Sequence, residues 1–186
     1  MMFMIQTLLE VTWLFLPAFV ANMAPPIAAR LGWLQRLNRP LDGGAIWHSR
    51  RVLGDNKTIR GVAVGIIAGA LVGLLQNSLW FLPTMRNISL LSYDNLLTSI
   101  ITGAWLGFAA MLGDTLASLL KRQLSIHPGV PWRPWDQLDF IISAILLISW
   151  LVPLTAAQLV TTFVIGGLGS YLTSAASVAL RIKQSI

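Results

Sequence analysis

The chain has 186 residues, 55% hydrophobic and 11% charged, with a net charge of +6 and no cysteine. Soluble domains carry about 25% charged residues, so these charges cannot cover a globular surface in water, and lipid must do most of the covering. The lack of cysteine excludes disulfides, thiolate metal sites and a cysteine nucleophile, and the basic balance reads as membrane topology, with no nucleic-acid partner expected.

A helix needs about 20 mostly apolar residues to cross the hydrocarbon core, and the segments 7–29, 61–82, 96–120, 138–154 and 159–180 qualify. The first lacks a basic leader and a small-residue cleavage site, so it is expected to be retained as a span rather than removed as a signal peptide. It contains Pro17, Asn22, Pro25 and Pro26. Prolines within a span leave carbonyls without donors; Asn22 either satisfies them or lines a polar cavity open to the cytoplasm.

The first loop carries Pro40-Leu41-Asp42-Gly43-Gly44, then Arg50-Arg51-Val52-Leu53-Gly54-Asp55-Asn56-Lys57-Thr58-Ile59-Arg60-Gly61. Its glycines let backbone approach an anion, Arg51, Lys57 and Arg60 supply charge, and Asn56 and Thr58 supply short polar groups. The amides that open the second span also favour a phosphate. The spacing is not that of a Walker loop, and on its residues alone the segment reads equally well as a basic loop resting on anionic headgroups. The second span repeats small residues at Gly61, Gly65, Gly69 and Gly73, and the fifth at Gly166, Gly167, Gly169, Ser170 and Ser174. Such stripes bring helices close; packing within one bundle is the first reading and a homodimer the second.

The third span ends Gly113-Asp114-Thr115-Leu116-Ala117-Ser118-Leu119-Leu120-Lys121-Arg122. Helical spacing puts Asp114, Ser118 and Lys121 on one stripe stepping toward the cytoplasm, and a carboxylate at that depth is costly without a partner or a function. The second loop, Pro128-Gly129-Val130-Pro131-Trp132-Arg133-Pro134-Trp135, leads into Asp136-Gln137-Leu138-Asp139. Acidic residues suit a helix N-terminus, but Phe140-Ile141-Ile142 follow directly, so Asp139 lies at the membrane edge at the depth of Asp114. Asp114, Asp136 and Asp139 converging there would repel unless a cation lay between them; Mg2+ with oxygen ligands is the expected one. His48 and His127 have no ligand spacing and read as solvated loop residues, and Trp33, Trp47, Trp132 and Trp135 suit a membrane interface.

Charge fixes direction. Arg30, Arg36, Arg39, Arg50, Arg51, Lys57 and Arg60 lie between the first two spans, Lys121, Arg122 and Arg133 between the third and fourth, and Arg181 and Lys183 after the fifth; the opposite side holds only Arg86. Basic residues stay inside. The expected fold is therefore all-α: a polytopic bundle of five transmembrane spans, N-terminus outside, C-terminus cytoplasmic, with two longer cytoplasmic loops. Without repeats or a soluble appendage, residues 1–186 read as a single membrane-embedded domain.

These motifs resemble the CDP-archaeol synthase family, membrane cytidylyltransferases related to the CDP-diacylglycerol synthases. Leu16-Pro17-Ala18-Phe19-Val20-Ala21-Asn22 with Pro25 resembles the family's first-span Pro-Ala-Tyr-x-x-Asn pattern, with Phe19 replacing tyrosine. Pro40-Leu41-Asp42-Gly43 and the stretch from Gly54 to Gly61 resemble its nucleotide loop, Gly113-Asp114, Ser118 and Lys121-Arg122 the Ser/Lys-Arg part of the wider signature, and Asp136-Gln137-Leu138-Asp139 its closing Asp-Arg-Leu-Asp, with Gln137 in place of arginine.

The resemblance implies attack of a lipid phosphate monoester on the α-phosphorus of CTP, with Mg2+ as cofactor and an ether-linked digeranylgeranylglycerol phosphate as acceptor. It assigns catalysis to Asp114, Asp136, Asp139 and Lys121, metal binding to the three carboxylates, and CTP or phosphate binding to Asn22, Asp55, Asn56, Lys57, Thr58, Arg60, Ser118 and Arg122. The residue chemistry agrees, since phosphoryl-type transfer mainly needs positioning and charge neutralisation. The enzyme is expected in the cell membrane as a multi-pass protein whose site faces the cytoplasm. Nothing in the apolar helix surfaces distinguishes isoprenoid from acyl chains, so phosphatidic acid or another lipid phosphate is the alternative acceptor. A small transporter would need ionisable groups along whole spans, which the second, fourth and fifth lack, and a structural membrane subunit leaves the carboxylates unexplained.

Overall fold

The computed structural model describes residues 2–47, 50–127, 130 and 132–179, with side chains described as far as residue 172. His48, Pro128, Gly129, Pro131, Leu180, Arg181 and Lys183 lie outside the described residues. Regular structure among the described residues is helical apart from one small hairpin. The helices are α1 (Met2–Arg30), α2 (Ile59–Ser78), α3 (Pro83–Asn87), α4 (Leu96–Gln123), α5 (Trp135–Ile148) and α6 (Ala156–Ala179).

α1, α2 and α4 are long and apolar enough to cross a membrane, and Ala156–Leu172 of α6 is a shorter apolar stretch. α5 has 14 residues, about 21 Å of helix, against the 138–154 expected from hydropathy. It stops because Ser149 and Trp150 turn the chain and Pro153 cannot continue the ladder. Leu71, Leu97, Leu120, Leu146, Val160 and Leu168 are exposed on the outer faces, as lipid contact requires.

Small residues build the core. α1 runs through Pro17, Pro25 and Pro26 without ending, and buries Val11, Leu14, Phe15, Ala18 and Ala21 on one face. α4 answers with Leu106, Ala109, Ala110 and Met111, and α5 with Phe140, Ile141, Ala144, Ile145 and Ile148. α4 therefore stands at the centre, packed against α1, α2 and α5. Its partner α2 lies so close that the backbones touch. A Cβ on Gly69 would fall 2.9 Å from Gly107 Cα, and one on Gly103 would fall 2.8 Å from Gly73 N. The glycine stripe of the second span is thus consumed inside the bundle, as its first reading expected.

Both helix starts on this seam are capped. Thr58 Oγ1 accepts from Gly61 N–H at 3.1 Å, and Asn95 Oδ1 from Thr98 N–H at 3.1 Å, satisfying orphan amides.

The loop between α1 and α2 is closed on itself. Its hairpin pairs β1 (Ile46–Trp47) with β2 (Arg50–Arg51), antiparallel, Ile46 facing Arg51 and Trp47 facing Arg50. At the base, Leu41 N–H donates to Lys57 O at 2.7 Å and Ile59 N–H to Arg39 O at 3.0 Å. Asp42 fills the enclosed space with a side chain only 3% exposed. Its Oδ1 accepts from Gly44 N–H at 3.0 Å and Arg51 Nη2 at 3.1 Å, its Oδ2 from Leu53 N–H at 3.0 Å and Gly54 N–H at 3.4 Å. Burial opposes ionisation of Asp42, but these donors outweigh it and bring the carboxyl from 3.8 to about 2.

Gly103→Leu forces α2 and α4 apart, an overpacking that costs about 1–3 kcal/mol or more. It is expected to abolish monodisperse protein in detergent chromatography, whereas Gly169→Leu, where a Cβ meets nothing within 4 Å, is expected to elute like the wild type. The depressed Asp42 carboxyl gives a second expectation. A group lowered on folding stabilises fully above its unfolded value, and that contribution disappears as pH falls through the folded one. Between pH 3.8 and about 2, pepsin should begin to cut the loop 40–58. Cleavage that sets in well above pH 4 would contradict it.

Candidate active site

Two helix ends and one loop meet on the face that carries the basic residues. The glycine seam brings the start of α2 beside the last turns of α4, so Lys57, just before α2, reaches Asp114: Nζ lies 2.5 Å from Oδ2. One helical stripe further on, Lys121 is buried and its Nζ is held by Asp136 at 2.9 Å and 3.1 Å. Trp132 N–H also donates to Asp136 Oδ2 at 2.8 Å. The second loop is thereby tied to α4. Ser118, half-buried, lies on the same helix between these two pairs.

Asp139 faces α4 at a point where only glycine fits. A Cβ on Gly113 would overlap the Asp139 carbonyl and stand 2.8 Å from Ser143 Cβ. Asp139 Oδ1 accepts from the N–H of Phe140 at 2.6 Å, and the carboxylate lies within electrostatic reach of Asp114, Lys57 and Asp136. The expected gathering of three carboxylates thus takes a different form in this structure. Asp114 and Asp136 each hold a lysine, Asp139 holds none, and the described residues contain no group of three acidic or histidine side chains close enough to bind one ion.

Beside these pairs opens a cavity of about 430 Å3 lined by Arg50, Arg51, Gly54, Asp55, Asn56, Arg122, Ser125, Ile126 and His127. Arg51 forks between Asp42 and the exposed Asp55, at 3.1 Å and 2.9 Å. Arg50 Nη1 donates to the Gln123 carbonyl, locking the hairpin to the end of α4. The Nε atoms of Arg51 and Arg122 are buried and meet no acceptor among the described residues. A wall of three guanidiniums with one exposed carboxylate suits a polyanion.

Of the residues singled out from sequence, Asp55, Asn56 and Arg122 line this cavity, and Lys57 and Lys121 reach the carboxylates beside it. Others stand elsewhere. Thr58 has its hydroxyl oxygen engaged as the cap of α2. Arg60 donates to Gln35 Oε1 at 3.3 Å. Asn22 lines a separate small cavity between α1, α5 and α6, with Phe19, Phe140, Ile165 and Ser170. Sequence reasoning missed Arg50, Ser125 and His127. Their meeting depends on the hairpin folding back onto the end of α4, and no local spacing signals that.

Comparison with known proteins places this arrangement. The family model described as CarS-like: CDP-archaeol synthase matches residues 4–184. The CDP-archaeol synthase of Pyrobaculum calidifontis is 37% identical over 183 residues, 94% of this chain and 97% of that one. That of Halobacterium salinarum is 34% identical over 189 residues, covering 97% of each. A solved structure described as "Structural insight into an intramembrane enzyme for archaeal membrane lipids biosynthesis" matches with a TM-score of 0.60 and 28% identity over 95% of each chain. Sequence and fold agree over nearly the whole length: the chain belongs to the CDP-archaeol synthase family of membrane enzymes.

Proposed function

We propose that this chain transfers CMP from CTP to a membrane lipid phosphate, a digeranylgeranylglycerol phosphate in keeping with the name its relatives carry, releasing pyrophosphate. The observation that carries the reading is the pairing of a guanidinium-walled cavity with lysine-bound carboxylates at the ends of apolar helices. A triphosphate needs the first, and an acceptor whose tails stay in lipid needs its phosphate delivered to the second.

A phosphate oxygen of the lipid attacks the α-phosphorus of CTP, the bond to the β-phosphate breaks, and its electrons leave on pyrophosphate. Arg50, Arg51 and Arg122 hold the leaving charge, and Asn56 with the Gly54–Asn56 turn fixes the nucleotide against them. Lys57 and Lys121 move from Asp114 and Asp136 to phosphate oxygens as the anions arrive. The donor set also fits a divalent cation. Asp114 and Asp139 are hard oxygen ligands on touching helices, and the Lys57 ammonium already sits at Asp114 in a cation's place. Asp114 and Asp139 would hold Mg2+, with Asp136 free to join them once Lys121 has left it for phosphate, and the ion would supply charge neutralisation.

The membrane frame belongs to the same proposal: one catalytic unit with five spans, α1, α2, α4, α5 and α6, the N-terminus outside and the cavity in the cytoplasm. The basic residues around the cavity support that orientation. Because the chain has no cysteine, it can be tested by single introduced cysteines. Gly43→Cys should react with an impermeant maleimide only in inverted vesicles, and Asp94→Cys only in right-side-out cells; the reverse pattern would overturn the orientation.

Purified protein with labelled CTP, Mg2+ and lipid phosphate should form CDP-lipid. An ether-linked isoprenoid acceptor and phosphatidic acid run side by side decide the chains, and no product from either refutes the activity. Asp114→Asn, Asp136→Asn and Asp139→Asn should each lower turnover about 100-fold or more, as should Lys121→Met. Retained turnover in the three Asn variants would remove the carboxylates from the mechanism.

A further inference from the structure

The cavity wall owes its shape to a residue that is not part of it. Asp42 lies behind Arg51 and the Leu53–Gly54 backbone, while the lining itself is Arg50, Arg51, Gly54, Asp55 and Asn56 on the loop side. We propose that Asp42 is a positioning residue for the nucleotide: its buried carboxylate holds Arg51 and the Gly54–Asn56 turn in the conformation that receives the phosphates of CTP. The inference rests on the reading of this cavity as the CTP site.

Four donors converge on the two oxygens of Asp42, from Gly44, Arg51, Leu53 and Gly54. A carboxylate accepts on every side, so all four are satisfied at once. An asparagine there keeps the shape but turns two N–H donors toward N–H groups that need an acceptor, leaving buried donors unpaired. The turn it supports is not one the chain would hold otherwise. Gly54 has φ +91°, and Gly43 and Gly44 have φ +57° and +89°, all in the left-handed region that side chains disfavour.

Arg51 is the second link. Its Nη2 is fixed by Asp42 and its Nη1 by Asp55, whose side chain is 78% exposed. An arriving phosphate competes readily with the solvated Asp55, whereas the buried Asp42 stays in place. Asp42 thus presents Arg51 at one orientation whether or not the nucleotide is bound. The third link is Lys57. Its carbonyl is bound by Leu41 N–H, next to Asp42, so the turn running from Gly54 to Lys57 is anchored at both ends. Asp42 thus supports the Gly54 end of this turn, and the Leu41 amide supports its Lys57 end.

A merely structural residue would lower the amount of folded enzyme, and with it kcat, without changing KM. A positioning residue for the nucleotide raises KM for CTP and leaves KM for the lipid phosphate unchanged. Initial rates for Asp42→Asn, measured against CTP and separately against the lipid phosphate, should show KM for CTP raised about tenfold or more, the scale set by losing a charged hydrogen bond. The KM for the lipid phosphate should stay within about twofold of wild type. Unchanged KM for CTP, or a fall in kcat alone, overturns the proposal. Gly54→Ala tests it should Asp42→Asn not fold, because a Cβ there meets nothing within 4 Å and the strain falls on the same turn. It should also raise KM for CTP, and wild-type KM in that variant overturns the proposal. In the double variant the two effects should fall short of multiplying, since both act on one turn; full multiplication overturns a shared route. A wild type that makes no CDP-lipid from CTP removes the underlying activity itself, whereas an active wild type with variants of unaltered KM removes only the role of Asp42.

Discussion

The contact on which the rest of the molecule depends is the backbone seam between α2 and α4. Gly69 and Gly73 on one side and Gly103 and Gly107 on the other leave no room for a Cβ. In lipid, helices gain little from burying apolar side chains against each other, so close approach through small residues does the holding. Everything on the basic face follows from that approach. Lys57 precedes α2 and Asp114 sits in the last turns of α4, and only helices this close let a lysine side chain span the gap.

A second glycine contact, Gly113 against Asp139, does for α4 and α5 what the seam does for α2 and α4. Between them the two contacts set three helix ends around one small volume. The loops then supply what membrane helices cannot carry at depth, namely many charges and free amides. The division follows from solvent. Carboxylates and lysines near hydrocarbon need partners, and Asp114 and Asp136 have them in Lys57 and Lys121; the guanidiniums stand in the loops and the end of α4, around an open cavity.

Much of this was legible in the sequence because the relevant signals are local. Apolar runs gave the long helices, with α4 beginning at Leu96 as hydropathy indicates, and the glycine spacing announced a close contact. The motif residues meet in two pairs, Lys57 with Asp114 and Lys121 with Asp136. What stayed hidden is what depends on pairing at a distance. The short length of α5 reflects a turn at Ser149 and Trp150 inside an apolar stretch, which hydropathy does not register. Thr58 looks like a phosphate ligand and serves as a helix cap because its hydroxyl lies nearest the Gly61 amide. Asn22 shares a motif with the site but lies on the side of α1 that faces α6. His127 has no spacing partner in sequence and meets Arg50 only because the hairpin folds onto α4.

The seam also carries an ambiguity of its own. Its glycines recur every fourth residue at Gly61, Gly65, Gly69 and Gly73, so sliding α2 by one repeat, about 6 Å along its axis, would set glycine against glycine again. Close packing alone therefore cannot choose among alternative alignments. The choice falls to contacts that do not repeat: Met111 against Gly65, Gln76 Nε2 donating to the Trp13 carbonyl at 2.7 Å, and Lys57 on Asp114. The lysine that meets the carboxylate is in this sense also a ruler, and the chemistry at one end of the helix pair helps to decide where the whole pair sits.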